Sequence, residues 1–164
     1  MPGRIDAILE ELTREAETTR RVLERVPDEK LSWRPHEKSK SLGELAWHVA
    51  TIPRRIASMA RGEQADVTKF PAAPMPATSA GIVEAFAKNV AEARELLSKL
   101  DDESLSKKFV MRRGEIKMFS RPKLEFLRTV MLNHSYHHRG QLSVYLRLVG
   151  VPVPPIYGPT ADEM

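Results

Sequence analysis

His134 and His138 stand four residues apart in the string His134-Ser135-Tyr136-His137-His138-Arg139-Gly140-Gln141. On a helix this spacing puts two imidazoles on one face, with Cβ atoms roughly 5–6 Å apart. Two rings so placed can grip one cation. His48 lies in a second amphipathic run, beside the apolar stripe of Leu42, Leu45, Val49 and Ile52. From a facing helix it can close the site. Neutral imidazole is a good ligand for several transition metals. A lone buried histidine is usually just hydrogen-bonded. Three on core stripes all need partners, because an unpaired buried polar group costs about 1–3 kcal/mol. A solvated cavity without an ion is the competing reading.

Three neutral ligands leave a divalent ion with its full charge and an open position, the mark of a catalytic rather than a structural site. Zinc lowers the pKa of bound water to roughly 7, and a metal-bound thiol is deprotonated outright. No glutamate follows His134, so the zinc-protease helix motif and its built-in base are absent. Gln141, three residues past His138, is the candidate catalytic residue, placed to hydrogen-bond a bound water or substrate. Glu44, four residues before His48, is a candidate to orient that ring, although a capping box competes for its carboxylate. Tyr136 and Arg139 reach a neighbouring cavity or solvent. Trp33 and Trp47 read as packing residues, and His36 and His137 as non-ligands.

The elements that must position these groups are helical. Ile5, Ile8, Leu9, Leu12, Ala16, Thr19 and Leu23 keep the three-and-four spacing of an amphipathic helix from about Arg4 to Arg25, stopped by Pro27. Residues 28–40 form a loop. Ser41-Leu42-Gly43-Glu44 is a capping box that opens a second helix ending at Gly62, with a kink expected near Val49 because Pro53 is interior. The proline- and alanine-rich residues 63–77 form a long connection. A third helix spans about Ser79 to Leu100. Residues 107–119 alternate in polarity around Arg113-Gly114 and are a hairpin candidate. A fourth helix runs from about Arg121 to Val149, with Leu124, Leu127, Met131, His134, His138, Gln141 or Leu142, Tyr145 and Leu148 inward. The proline-rich tail after Gly150 reads as an extended strap. The expected fold is therefore all-α: one domain over 1–164, a four-helix bundle with a long crossover.

The chain has 164 residues, 41% hydrophobic, with no cysteine. Disulfides and thiolate ligands are excluded, and any metal must use nitrogen or oxygen. No apolar run approaches the roughly 18 residues of a membrane span, and the N-terminus lacks the apolar segment of a signal peptide. The expected location is the cytoplasm. The net charge of +4 comes from scattered basic pairs such as Arg20-Arg21 and Arg54-Arg55, mixed with acids. They read as solvated helix faces, so no specific nucleic-acid partner is expected.

Three segments carry a resemblance to a known family: Leu42-Gly43-Glu44-Leu45-Ala46-Trp47-His48-Val49-Ala50, the string from His134 to Leu142, and Tyr157-Gly158-Pro159. The chain resembles the DinB/YfiT-like family of metal-dependent helical-bundle proteins. The resemblance implies a four-helix bundle, often a homodimer, and a divalent ion (zinc, nickel or iron) held by three histidines that fall on His48, His134 and His138. Related members are transferases or isomerases that use a low-molecular-weight thiol, and others are induced by DNA damage or stress. The implied activity is transfer of a thiol to a small electrophile in detoxification. The alternatives are a non-catalytic metal- or ligand-binding stress protein and a metal-hydroxide hydrolase.

Overall fold

A computed structural model describes residues 3–164. The first helix, α1 (Arg4–Leu23), buries Ile5, Ile8, Leu12, Thr19, Val22 and Leu23. Its start is fixed by Asp6, whose carboxylate accepts from the Gly3 backbone N–H at 2.7 Å. Helix α2 (Leu42–Met59) begins at the capping box read from the sequence. The Ser41 Oγ accepts from the Glu44 N–H at 3.2 Å, and the Glu44 carboxylate accepts from the Ser41 N–H at 2.6 Å. These bonds satisfy two donors that the helix end would otherwise leave free. Pro53 is buried within α2, which continues through it to Met59.

Helix α3 (Ser79–Leu97) is capped by Thr78, whose hydroxyl oxygen accepts from the Gly81 N–H. A short helix α4 (Asp102–Ser106) follows. The last helical stretch comprises α5 (Lys123–Phe126), a wider π-helical segment (Leu127–Asn133) and α6 (His134–Leu148).

Two apolar clusters show how the helices run. One joins the N-terminal half of α1 (Ile5, Ile8) to the C-terminal halves of α2 (Ile56, Met59) and α3 (Ala93, Leu97). The other joins the N-terminal halves of α2 (Leu42, Leu45) and α3 (Ile82, Phe86) to the ends of α1 and α6 (Val22, Leu146). So α2 and α3 are parallel, and α1 and α6 oppose them. The Asn89 amide donating to the Ala50 carbonyl, and the Arg54–Glu92 ion pair one turn on, fit this direction. Parallel neighbours need a long connection, which residues 60–78 supply.

That connection corrects the all-α expectation. It contains a strand, β1 (Gln64–Asp66), in a three-stranded sheet with β2 (Lys108–Arg113) and β3 (Ile116–Pro122). The β2–β3 hairpin matches the alternating pattern read at 107–119, and Gly114 at its turn has φ of 57°. β1 pairs parallel to β2, with Ala65 opposite Met111. Three residues with one apolar side chain give no periodic signal. The strand exists because β2 offers it an edge, and the Asp66 carboxylate ties the turn by accepting from the Gly114 N–H at 3.1 Å. The sheet's inner face lies on helices: Phe109 stacks on Phe126 at 4.1 Å, and Met111 and Ala65 join the Ile56–Met59 cluster.

The final helix also departs from expectation. Arg121 and Pro122 belong to β3, so the helix starts at Lys123. Leu148 is 59% exposed, and the buried face of α6 is Arg139, Leu142 and Leu146. A π turn carries more residues than an α turn, so seven such residues rotate the downstream stripe away from one read at 3.6 per turn. Beyond Gly150 there is no regular element. Val153 is buried in the second cluster, and the Tyr157 hydroxyl donates to the Glu15 carboxylate at 2.8 Å.

Candidate metal centre

His48 sits near the start of α2, and His134 and His138 occupy the first turns of α6. Their ring nitrogens converge. His48 Nε2 lies 3.3 Å from His134 Nε2, which lies 2.7 Å from His138 Nε2. One ligand atom from each residue falls within 4.8 Å of the others, a grouping able to hold a metal ion. All three residues are half-buried. The π-helical segment ends where His134 begins, and such segments often occur at functional sites.

The far side of one ring is also held. His138 Nδ1 faces the Gln141 side-chain oxygen at 2.7 Å. An amide oxygen only accepts, so Nδ1 carries the proton and Nε2 presents its lone pair to the cluster. The Val130 backbone favours the protonated form of His134 against the effect of burial. This donor set fits a divalent metal: neutral, nitrogenous and buried, with an orienting partner behind the ligand. Tetrahedral zinc with bonds of roughly 2.0–2.1 Å separates its ligands by about 3.3–3.4 Å. The His48–His134 pair meets that already, and His138 needs only a small opening.

Burial pushes the basicity of all three rings down. His48 falls to about 3, first by desolvation and then through the charges of His138, His134, Lys40 and Arg55. His134 is lowered by burial and by His138, and His138 by burial against an opposing hydrogen bond that its ring donates to Gln141. All three are neutral at pH 7, the state in which imidazole binds metal.

The other candidates fall into place around this cluster. Gln141 supports the His138 ring. Glu44 is occupied by the cap at Ser41 and by Arg34 at 3.5 Å, and is not bonded to His48. His137 is exposed, its ring centre 4.9 Å from that of His138. His36 is exposed and accepts from the Lys38 N–H. Trp33 packs edge-on against Tyr145 at 5.6 Å, and Trp47 donates to the Ala73 carbonyl at 2.8 Å.

Arg139, read as facing a cavity or solvent, is only 1% exposed. It pairs with Glu15 at 2.8 Å and donates to the Thr19 hydroxyl, the Glu15 carbonyl and the Tyr157 hydroxyl. It therefore bolts α6, α1 and the C-terminal segment together. Tyr136 donates to Glu11 at 2.8 Å on the same seam.

An apolar chamber of about 190 Å³, unforeseen in the sequence, opens beside the cluster. His48 and His134 stand at its edge, with Ile52, Ile56 and Met59 from α2 and Met111 and Phe119 from the hairpin as walls. The one available signal was Arg55, seven residues after His48 and so on nearly the same face of α2; it also lines the chamber.

Comparison with known proteins agrees with this picture. The sequence profile of the DinB family matches residues 1–164. YrdA of Bacillus subtilis (strain 168), an uncharacterised protein, is 30% identical over 167 residues, covering 97% of this chain and 91% of YrdA. The crystal structure of a DinB-like protein from Bacillus cereus ATCC 10987 superposes with a TM-score of 0.72 at 29% identity, covering 93% of this chain and 97% of that one. The DinB-like protein YjoA of Bacillus subtilis shares the fold, with a TM-score of 0.73 at 20% identity over 92% of this chain and 96% of its own.

Proposed function

This chain belongs to the DinB family, and on that premise we propose that His48, His134 and His138 hold one divalent metal ion in an enzyme that transfers a low-molecular-weight thiol to a small electrophile. The observation that carries the reading is the convergence of three Nε2 atoms, with the other ring nitrogen of His138 already engaged by Gln141. Imidazole donors suit zinc, nickel or iron. When bound, such an ion keeps a thiol in its thiolate form at neutral pH.

The protein's own residues supply the rest. Gln141 fixes the tautomer and angle of His138 through Nδ1, a positioning role. The apolar wall formed by Ile52, Ile56, Met59 and Phe119 excludes water, which strengthens charge interactions inside. In the reaction the thiol releases its proton to water, its sulfur bonds the electrophilic carbon, and the leaving group departs with the broken bond's electrons. In this reading α1, α2, α3 and the last helix act as a four-helix bundle, strapped by residues 151–164 through Val153 and Tyr157. The natural setting is stress or detoxification in the cytoplasm, as a homodimer, with no specific nucleic-acid partner.

Elemental analysis of the purified protein beside a His134→Ala/His138→Ala variant tests the site. Near-stoichiometric metal is expected in the first and none in the second; equal content in both would end the reading. Activity is tested with a panel of low-molecular-weight thiols and a chromogenic electrophile. A thiol-dependent rate abolished by chelation is expected. No such rate with any thiol counts against the transferase.

A further inference from the structure

We propose that the cleft between α2, α3 and the connection joining them binds a small N-acylated amino acid, its carboxylate held by Arg55 and Ser58 and its amide N–H by Asn89. None of the three histidines lines this cleft, so the inference goes beyond the reading above and stands without it.

The cleft is held in shape by side chains of α2. Trp47 Nε1 donates to the Ala73 carbonyl at 2.8 Å, and Arg55 Nε donates to the Phe70 carbonyl at 2.6 Å. Eight helical positions separate Trp47 from Arg55, about 12 Å along the axis. The two bonds pin residues 70–73 along α2, while Ala85 and Asn89 line the cleft from α3. Its volume is about 460 Å³, within the roughly 300–1,000 Å³ usual for a small-molecule site.

Three side chains in its wall keep unused hydrogen-bonding capacity. The terminal nitrogens of Arg55 have no hydrogen-bond partner among the described residues, and no carboxylate there lies within ion-pair distance. The bond from Nε fixes the plane of the guanidinium, and the free end is the fork that carboxylates accept in pairs. Ser58 stands three residues on, so on the same helix face. It is half-buried, and its hydroxyl is unbonded among the described residues. Asn89 donates its amide nitrogen to the Ala50 carbonyl at 2.9 Å, which leaves its amide oxygen free to accept. Thr51, also in the wall, is by contrast committed, donating to the Trp47 and His48 carbonyls.

Charge and lining set the class of ligand. Arg54, Arg55 and Lys88 face a single acid, Glu92, which pairs with Arg54 and lies 4.0 Å from Lys88. The field favours an anion, and the Glu92 carboxylate penalises a second negative charge on it. Trp47, Phe70, Pro71 and Ala72 supply apolar surface. The fork and hydroxyl call for a carboxylate, the Asn89 oxygen for an N–H, and the apolar surface for an acyl group. An N-acylated amino acid carries all three, with one charge.

The test titrates the full-length protein, metal-free and zinc-loaded, with hippurate (N-benzoylglycine), its neutral amide hippuramide, and inorganic phosphate. Calorimetry reads affinity, and the two indole N–H signals in NMR read location. Hippurate should shift Trp47 and leave Trp33, which packs on Tyr145 and does not line the cleft. It should bind about tenfold more tightly than hippuramide, and more tightly than phosphate. Arg55→Gln should erase the preference over the amide, and Arg55→Lys should keep part of it. Comparing hippurate with hippuramide on the unaltered protein needs no variant to fold. The His134→Ala/His138→Ala variant should bind hippurate as the unaltered protein does, so failure of the metal reading leaves the cleft standing. Four results would overturn the proposal: no binding of hippurate, equal binding of its amide or of phosphate, no shift at Trp47, or a preference that survives Arg55→Gln. A preference seen only with zinc puts the carboxylate on the ion and overturns it too.

Discussion

Replacing Arg139 with methionine keeps much of the side chain's length and removes its charge. The side chain is 1% exposed, and its partner Glu15 is 14% exposed. The change removes the 2.8 Å ion pair and the donations to the Thr19 hydroxyl at 3.1 Å and the Glu15 carbonyl at 3.2 Å. Glu15 keeps only the Tyr157 hydroxyl. Breaking one side of a buried pair costs about 3–5 kcal/mol. Glu15 lies at the edge of the core, where water can reach it, so the lower end, about 3 kcal/mol, applies. For a domain of this size each kcal/mol moves the melting midpoint by about 2–4 °C, giving a fall of about 6–12 °C. Melts followed by circular dichroism at pH 7 on metal-free protein measure it. An Arg139→Met/Glu15→Gln variant should recover part of the loss, because no bare carboxylate is stranded. A fall below about 2 °C, with metal binding lost instead, would refute the argument, since Arg139 would then act at the cluster rather than as a bolt.

Gln141→Ala should weaken metal binding about 10- to 100-fold, as loss of a ligand's orienting partner commonly does, with little change in the melt of the metal-free protein; competition with a chromogenic chelator reads it. Acid should destabilise the metal-free protein through the cluster. His48, depressed to about 3 in the fold, stays neutral while the unfolded chain's histidines take up protons below about 6.5. More protons bound in the unfolded state means that stability falls with falling pH between those values, and the same denaturation series on His48→Phe should show a shallower slope. Two helical glycines should respond oppositely to alanine. A Cβ at Gly43 would meet the Leu31 carbonyl oxygen at 3.0 Å, whereas one at Gly140 meets nothing within 4 Å. Gly140→Ala should stabilise by about 1 kcal/mol and Gly43→Ala should destabilise by about 1–3 kcal/mol, read from urea midpoints.

The histidine cluster was legible because it is local on one side and patterned on the other. His134 and His138 are bound by helical spacing, and His48 by its place beside a stripe. The capping box at Ser41 was legible for the same reason, since its bonds close within three residues. What escaped was non-local. β1 is a strand only because β2 lies alongside it. The phase of α6 is set by a π segment that no 3.6-residue template detects. Arg139 reads as facing a cavity or solvent because its partners, Glu15 and Tyr157, are 124 and 18 positions away.

These misses share a cause that bears on the site itself. The string from His134 to Gln141 divides by direction around α6. His134 and His138 turn toward α2 and converge with His48; Arg139 turns toward α1; Gln141 reaches back to the ring of His138. About two turns of helix thus supply two of the three clustered histidines, the bond that orients one of them, and the anchor that fixes the helix against α1. Ring nitrogens can meet within 3.3 Å across two helices only if α6 neither slides nor rotates. A buried guanidinium with several acceptors resists both motions, since any shift strands a charge. The motif's basic residue therefore serves the histidine cluster through rigidity, by holding the helix that carries two of its three rings.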